Sequence, residues 1–308
     1  MREQLNALAK EIKENYAILE TKINQLRSSH SILPVKKSPI DLSVCAVDGG
    51  LLAHRLHGAD IVITRAVGVN FVYSNSTLKK CSYWPEKNPN PKIFMKNSLD
   101  EHEAMVFRSL IRLKEELSCA ILSLQKFSPQ VLLMDGSLLP LPSDRPGEAS
   151  ELDSLYSEVL KLYEKLYQDC NAKKCSLIGV IKDSRSRKMA KEFGLNCSDS
   201  VFCNFLLKEF ERTNTMSYSE NSGIDVFYIK PSKNDLPLRI ETTSQASDFV
   251  ASIISSLSSF SESFAYPAVL IEADMCAALD PKELEPIEFF LNQLSGMKPL
   301  RRNSRPFR

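Results

Sequence analysis

Two apolar runs that each finish on aspartate-glycine constrain the fold of this chain more than any other feature. One is Leu42–Val47, ending at Asp48-Gly49-Gly50; the other is Val131–Met134, ending at Asp135-Gly136-Ser137. Short Val/Leu-rich runs bounded by glycine read as buried strands followed by tight turns. Between them lies a long helical stretch whose stripe is Leu110, Leu113, Leu117, Ala120, Ile121 and Leu124. Ser98, with Glu101 three residues on, makes a capping box at its start, and it ends near Ser128-Pro129. Ile61–Tyr73, rich in Val and Ile, supplies one or two further strands ahead of that helix. Glu151–Cys170 is helical by period, and Ser176–Ile181 is another buried strand. Strands and helices alternate, which indicates the α/β class.

The order is strand, strands, long helix, strand, helix, strand. That is the chain order of an RNase H-like core, a mixed sheet flanked by helices. Residues 1–30 precede it as an amphipathic helix, with Leu5, Leu8, Ile12, Leu19, Ile23 and Leu26 on one stripe. That helix either packs on the main domain or pairs with a second copy. Ser31–Pro39 reads as a linker, and Thr77–Lys92, with prolines, asparagines and the sole Trp84, as a loop or inserted segment. Pro140–Gly147 is a loop. Ser186–Phe193 is a short helix closed by Gly194. Asp225–Ile229 and Leu236–Glu241 form a hairpin, and Ser244–Leu257 is a helix. Tyr266-Pro267 leads into a final helical region, and Lys298–Arg308 is a basic tail. The expected organisation is the helix 1–30, a main domain over 40–297 and the tail 298–308.

Of 308 residues, 43% are hydrophobic and 25% charged, enough for a sizeable core. Lys+Arg number 39 and Asp+Glu 38, so the net charge is +1. Any nucleic-acid contact must therefore come from local patches rather than a basic coat. The eight cysteines form no CxxC pair, which argues against a zinc site or a disulfide framework. They read as reduced thiols acting as small hydrophobes. Charged residues interrupt the N-terminus, and no apolar run approaches a membrane span, so a soluble, cytoplasmic protein is expected.

An aspartate at the end of a buried strand sits at the lip of a sheet, where α/β folds place their sites. Asp48 and Asp135 on neighbouring strand ends would suit a divalent cation, since like charges resist joint ionisation without one. The alternative, that each Asp-Gly is only a turn, stays open. On the long helix Glu116 borders the apolar stripe and Glu115 lies beside it; either is a candidate. Asp274 interrupts an apolar segment after Tyr266, while Glu272 reads as exposed. Lys182 follows a buried strand and is a candidate phosphate ligand, with Arg185, Arg187 and Lys188 extending a basic patch. His54 and His57 have HxxH spacing but no matching ligand set.

These residues resemble the NurA nuclease family. Ala46-Val47-Asp48-Gly49-Gly50 is similar to its first motif, and Leu132–Pro140, with Asp135-Gly136-Ser137-Leu138, to its second. Gly179–Ser184 resembles its Gly-x-x-Lys stretch, Arg239-Ile240-Glu241 its late Arg-x-Glu strand, and Tyr266 through Asp274 its C-terminal motif. The matches run in order from about residue 42 to about 280. The resemblance implies an RNase H-like homodimer with manganese-dependent activity on DNA. It also implies a HerA-type hexameric translocase as partner in archaeal double-strand-break end resection and recombinational repair. By it Asp48, Glu116 (with Glu115 as fallback), Asp135 and Asp274 hold two Mn2+ ions, or Mg2+. Lys182 neutralises the phosphate and Tyr266 stacks on a base or orients the strand. The activity is a 5′–3′ exonuclease, a single-strand endonuclease, or both. Asp274 departs from the family, which usually has histidine there, and Gly50 stands where serine is usual. Aspartate keeps a metal ligand but not a proton carrier. A second reading is therefore a catalytically weak dimeric adaptor of the same fold that docks on the translocase and binds DNA. An RNase H-like enzyme acting on RNA is a third.

Overall fold

Arg2–Leu26 forms helix α1 and Ile32–Pro34 the short strand β1. The structure, a computed structural model, describes residues 1–27, 32–56, 58–182, 184–219, 222–243, 246–259 and 261–296. The tail 298–308 lies outside those residues, as do His57, Asp183 and Ser244.

The first Asp-Gly motif is not a turn. The strand that starts at Ser43 runs through Asp48, Gly49 and Gly50 to Arg55 (β2). It pairs antiparallel with Ala59–Ser74 (β3) over its whole length. Glycine inside a strand marks close approach by another group. A Cβ on Gly49 would stand 2.6 Å from Glu116, and one on Gly50 2.1 Å from the Ala277 carbonyl oxygen. Packing, not chain reversal, requires these two glycines.

The expected loop over Thr77–Lys92 is also corrected. Thr77–Trp84 (β4) and Lys92–Asn97 (β5) are both strands on one edge of β3. β5 pairs with Ala59–Thr64, and β4 with Gly68–Ser74. A 16-residue strand offers a long edge, and a bare edge is a liability. The Pro and Asn residues that read as loop fall in residues 85–91 between the two strands, and the strands themselves carry the lysines that an edge tolerates.

Glu101–Phe127 is the long helix, α2. Its cap sits two residues later than expected. Ser98 has φ +59°, whereas Asp100 is extended, accepts from the Glu103 backbone N–H, and is answered by the Glu103 carboxylate. Val131–Asp135 (β6) runs parallel to β2 and stops at Gly136, whose φ of +133° favours glycine. Asp153–Ala172 (α3) packs on α2 through Val159, Tyr163 and Leu166. Ser176–Ile181 is β7. There follow Lys188–Glu192 (α4), Asp199–Leu206 (α5), Glu211–Thr213 (β8), Met216–Ser217 (β9), Asp225–Lys230 (β10) and Leu238–Thr242 (β11). Ser247–Leu257 (α6), Ala268–Ala277 (α7) and Leu284–Ser295 (α8) complete the described elements.

The chain forms two compact units, 40–177 with 269–308, and 1–39 with 178–268. In the first of these, strand order is β6-β2-β3-β4, with β5 also on β3. α2 packs across β2 and β3, with Ser123 against Gly68 and Glu116 against Gly49, and Leu110, Leu117 and Leu124 are buried on it. In the other, the order is β1-β8-β10-β11-β7, with β9 on β10. There the second half of α1 packs Leu19, Ile23 and Leu26 against Phe202, Leu206 and their neighbours. The first half leaves Leu5, Leu8 and Ile12 exposed. Six of the eight cysteines are buried and all eight are free thiols. Among the described residues no helix is long and apolar enough to cross a membrane.

Candidate metal centre

Four carboxylates gather in the unit built on β2, α2, β6 and α7. Side chains alternate along β2, so Asp48 shares the face of Gly50, which α7 covers, and Gly49 faces α2. Glu116 reaches the strand from α2 into the space that a Gly49 side chain would fill. The missing Cβ thus lets a helical carboxylate come against the sheet beside Asp48. Asp135 closes β6, the parallel neighbour of β2, and Asp274 belongs to α7.

Electrostatics links Asp48 to Asp135 and Asp274, and Glu116 to Asp48 and Asp135. Burial pushes the Asp48 carboxyl up to about 7, the Asp135 charge adds to that, and the Gly49 N–H, donating at 2.7 Å, opposes it. The nearby Asp274 carboxyl raises it further. Burial likewise pushes Glu116 up to about 8; Arg112 pulls it down, and Asp48 and Asp135 push it up. Arg112 sits one turn before Glu116 with 3.6 Å between its nitrogen and Glu116 Oε1. That is too long for a hydrogen bond, and Oε1 is buried with no such partner.

An all-carboxylate set suits a hard divalent cation such as manganese or magnesium. The buried, unpartnered Glu116 oxygen and the raised carboxyls both mark negative charge short of compensation. Among the described residues, no three His, Cys, Asp or Glu side chains already converge as a ligand set.

The other candidates fall elsewhere. Glu115 accepts from Lys92 Nζ at 2.6 Å, away from Gly49. Glu272 is not simply exposed: it accepts from the Tyr83 hydroxyl at 2.8 Å and pairs with Lys87 at 3.2 Å. His54 pairs with Glu288 at 2.7 Å. Lys182 and Tyr266 belong to the other unit, where the Lys182 ammonium stands 4.1 Å from the Tyr266 ring centre. Tyr266 is 1% exposed and donates its hydroxyl to the Val180 carbonyl. A ring so buried positions the lysine rather than stacking on a base. Arg239 and Glu241, two apart on β11, form an ion pair at 2.6 Å. Arg112 was missed from the sequence; its i,i+4 spacing to Glu116 was the available signal.

The NurA domain model matches residues 42–279. Among solved structures, the NurA nuclease from Sulfolobus solfataricus aligns with a TM-score of 0.67 at 16% identity, covering 96% of this chain and 98% of that one. A NurA structure aligns at 0.61 with 13% identity, and a NurA structure bound to dAMP and manganese at 0.59 with 12%. Each of these two covers 96% of this chain and 98% of its own. No curated protein shows a significant match. The likeness establishes the α/β, RNase H-like fold that the element order implied.

Proposed function

The chain belongs to the NurA family, and on that footing we propose that it is a manganese-dependent deoxyribonuclease that hydrolyses phosphodiester bonds. The observation that carries this is the buried Glu116 carboxylate, seated against Gly49 beside Asp48 and Asp135 with one oxygen unpartnered. Asp48, Glu116, Asp135 and Asp274 hold the divalent ions. When bound, a pair of such ions activates water and neutralises charge on the scissile phosphate. A relative whose structure contains manganese and dAMP favours that metal and a nucleotide ligand.

The residues around them have separate tasks. The Gly49 N–H fixes one oxygen of Asp48. Arg112 offsets part of the Glu116 charge without occupying its oxygen by a hydrogen bond. Tyr266 holds the Lys182 ammonium, a compact charge suited to phosphate. By family resemblance the enzyme works as a homodimer with a HerA-type translocase in DNA end resection. The exposed Leu5, Leu8 and Ile12 stripe of α1 offers an apolar face for assembly.

The test is cleavage of end-labelled single- and double-stranded DNA with manganese, magnesium or EDTA, comparing wild type with Asp48→Asn. Metal-dependent cutting by the wild type that disappears in the variant supports the proposal, and the ladder direction gives polarity. DNA binding without cutting, even with the translocase added, would replace it with the adaptor reading, which the exchange of histidine for Asp274 favours.

A further inference from the structure

The two strands on the edge of β3 do not meet. β5 pairing stops at Thr64 opposite Lys92, and β4 pairing starts at Gly68 opposite Trp84. Arg65, Ala66 and Val67 are thus left without a ladder partner on that edge. The chain between the strands, residues 85–91, arches away and leaves a cavity of about 230 Å³ against α2.

The cavity has a definite chemical character. Trp84, Pro85 and Pro89 give it flat apolar walls, and Asn90 and Ser118 bring side chains able to donate and accept. Lys92, paired to Glu115, stands at its lining, and the Lys126 ammonium lies 4.9 Å from the centre of the Trp84 ring. Arg65 spans the gap and fixes one wall, donating through Nε to the Pro89 carbonyl at 2.7 Å. Its position is equally definite. The unpartnered residues Arg65, Ala66 and Val67 lie directly across the ladder from Gly50, Gly49 and Asp48. The gap is therefore in register with the metal centre and one strand away from it, roughly 5 Å between backbones.

We propose that this cavity takes an unstacked nucleobase of the DNA strand, seated on Trp84, for a nucleotide next to the scissile phosphate. Flat walls with a few polar groups and a cation beside an aromatic ring are what base stacking on a single strand uses. The cavity lies on the α2 face, the face from which Glu116 reaches Gly49. The proposal rests on the nuclease reading for the identity of the strand.

Trp84 is the chain's only tryptophan, so its fluorescence reports the cavity without a label. Full-length protein in EDTA, where nothing is cut, is titrated with a deoxythymidine oligonucleotide and with an abasic strand of equal length. The thymidine strand should quench Trp84 and the abasic strand should not. By anisotropy of a labelled strand, Trp84→Ala should bind about tenfold more weakly. Trp84→Phe, which keeps a ring, should recover most of that and guards against a folding artefact. Binding by anisotropy with no change in Trp84 fluorescence, or equal quenching by the abasic strand, overturns the pocket and leaves the nuclease reading intact. A protein that neither binds DNA nor cuts it with manganese removes both.

Discussion

Replacing Gly49 by alanine puts a methyl group where Glu116 now sits. The new Cβ would stand 2.6 Å from both Cγ and Oε1 of Glu116, whereas carbon contacts settle at about 3.5–4.0 Å. β2 has little room to retreat, because it is hydrogen-bonded to β3 along its whole length and to β6 just before Gly49, over Val44–Val47. The side chain must yield by roughly 1 Å. Overpacking of this kind costs about 1–3 kcal/mol, which leaves the fold standing. A misplacement of about 1 Å in a catalytic group, by contrast, can slow a reaction about 100-fold. The expected result is manganese-dependent cleavage reduced about 100-fold, with a weaker apparent manganese affinity and a melting temperature lowered by only a few degrees. Single-turnover cleavage across a manganese titration, run beside thermal melts with and without the metal, separates these effects. Gly147→Ala is the control, since nothing lies within 4 Å of its added Cβ. Wild-type cleavage and manganese response in Gly49→Ala would refute the claim that this glycine exists to admit Glu116.

Three further outcomes follow from the same geometry. Asp48 and Glu116 titrate near 7 and 8 when folded, well above ordinary carboxyls at about 4, so the metal-free protein binds more protons than its unfolded chain between those limits. Their contribution to stability is complete below about pH 4 and lost as pH rises through 7 to 8; melts in EDTA at pH 5 and pH 8 should show a smaller loss in Asp48→Asn, and an equal loss would contradict the assignment. Tyr266→Phe keeps the ring beneath Lys182 and loses only the bond to Val180, so it should retain more cleavage than Tyr266→Leu; equal losses would move the role to the hydroxyl. Gly50→Ser must displace the Ala277 backbone, at a cost of about 1–3 kcal/mol in thermal melts, and combining it with Asp274→His should recover cleavage that each change alone removes. A double variant no better than the worse single one would show the two positions to be independent.

Much of this architecture was legible because burial dictates it. The runs around Val44, Leu132 and Leu177 are strands, and the 3.6-residue stripe of α2 ends where Ser128-Pro129 said it would. What failed to show were features set by tertiary contact. Asp48-Gly49-Gly50 has the composition of a turn, yet the strand continues because Glu116 and Ala277 need the space. Asp135-Gly136, with the same letters, does end its strand, because nothing opposes Gly136 and its φ is positive. β4 read as loop because the Pro and Asn residues of 85–91 follow it directly, β5 beyond Lys92 was not read at all, and only the length of β3 demanded them. Glu115 and Glu116 could not be separated by period alone, since both border the stripe; the bare Gly49 backbone selects one and Lys92 engages the other.

The two departures from the family motifs, Gly50 and Asp274, meet in one place. Gly50 lies under the last turn of α7, with its absent Cβ 2.1 Å from the Ala277 carbonyl oxygen, and Asp274 precedes Ala277 by three residues on that helix. A serine at position 50 would hold α7 off the strand, and from that distance a long side chain such as histidine is needed to reach Asp48. Glycine lets the helix settle closer, and the Asp274 carboxyl then lies near enough to raise that of Asp48. In the proposed centre, aspartate at 274 would supply a fourth negative ligand where histidine would supply a proton carrier. The proposed centre therefore needs positive charge more than one with histidine at position 274 would, and activity should depend more steeply on manganese concentration in this chain than in its Asp274→His, Gly50→Ser counterpart.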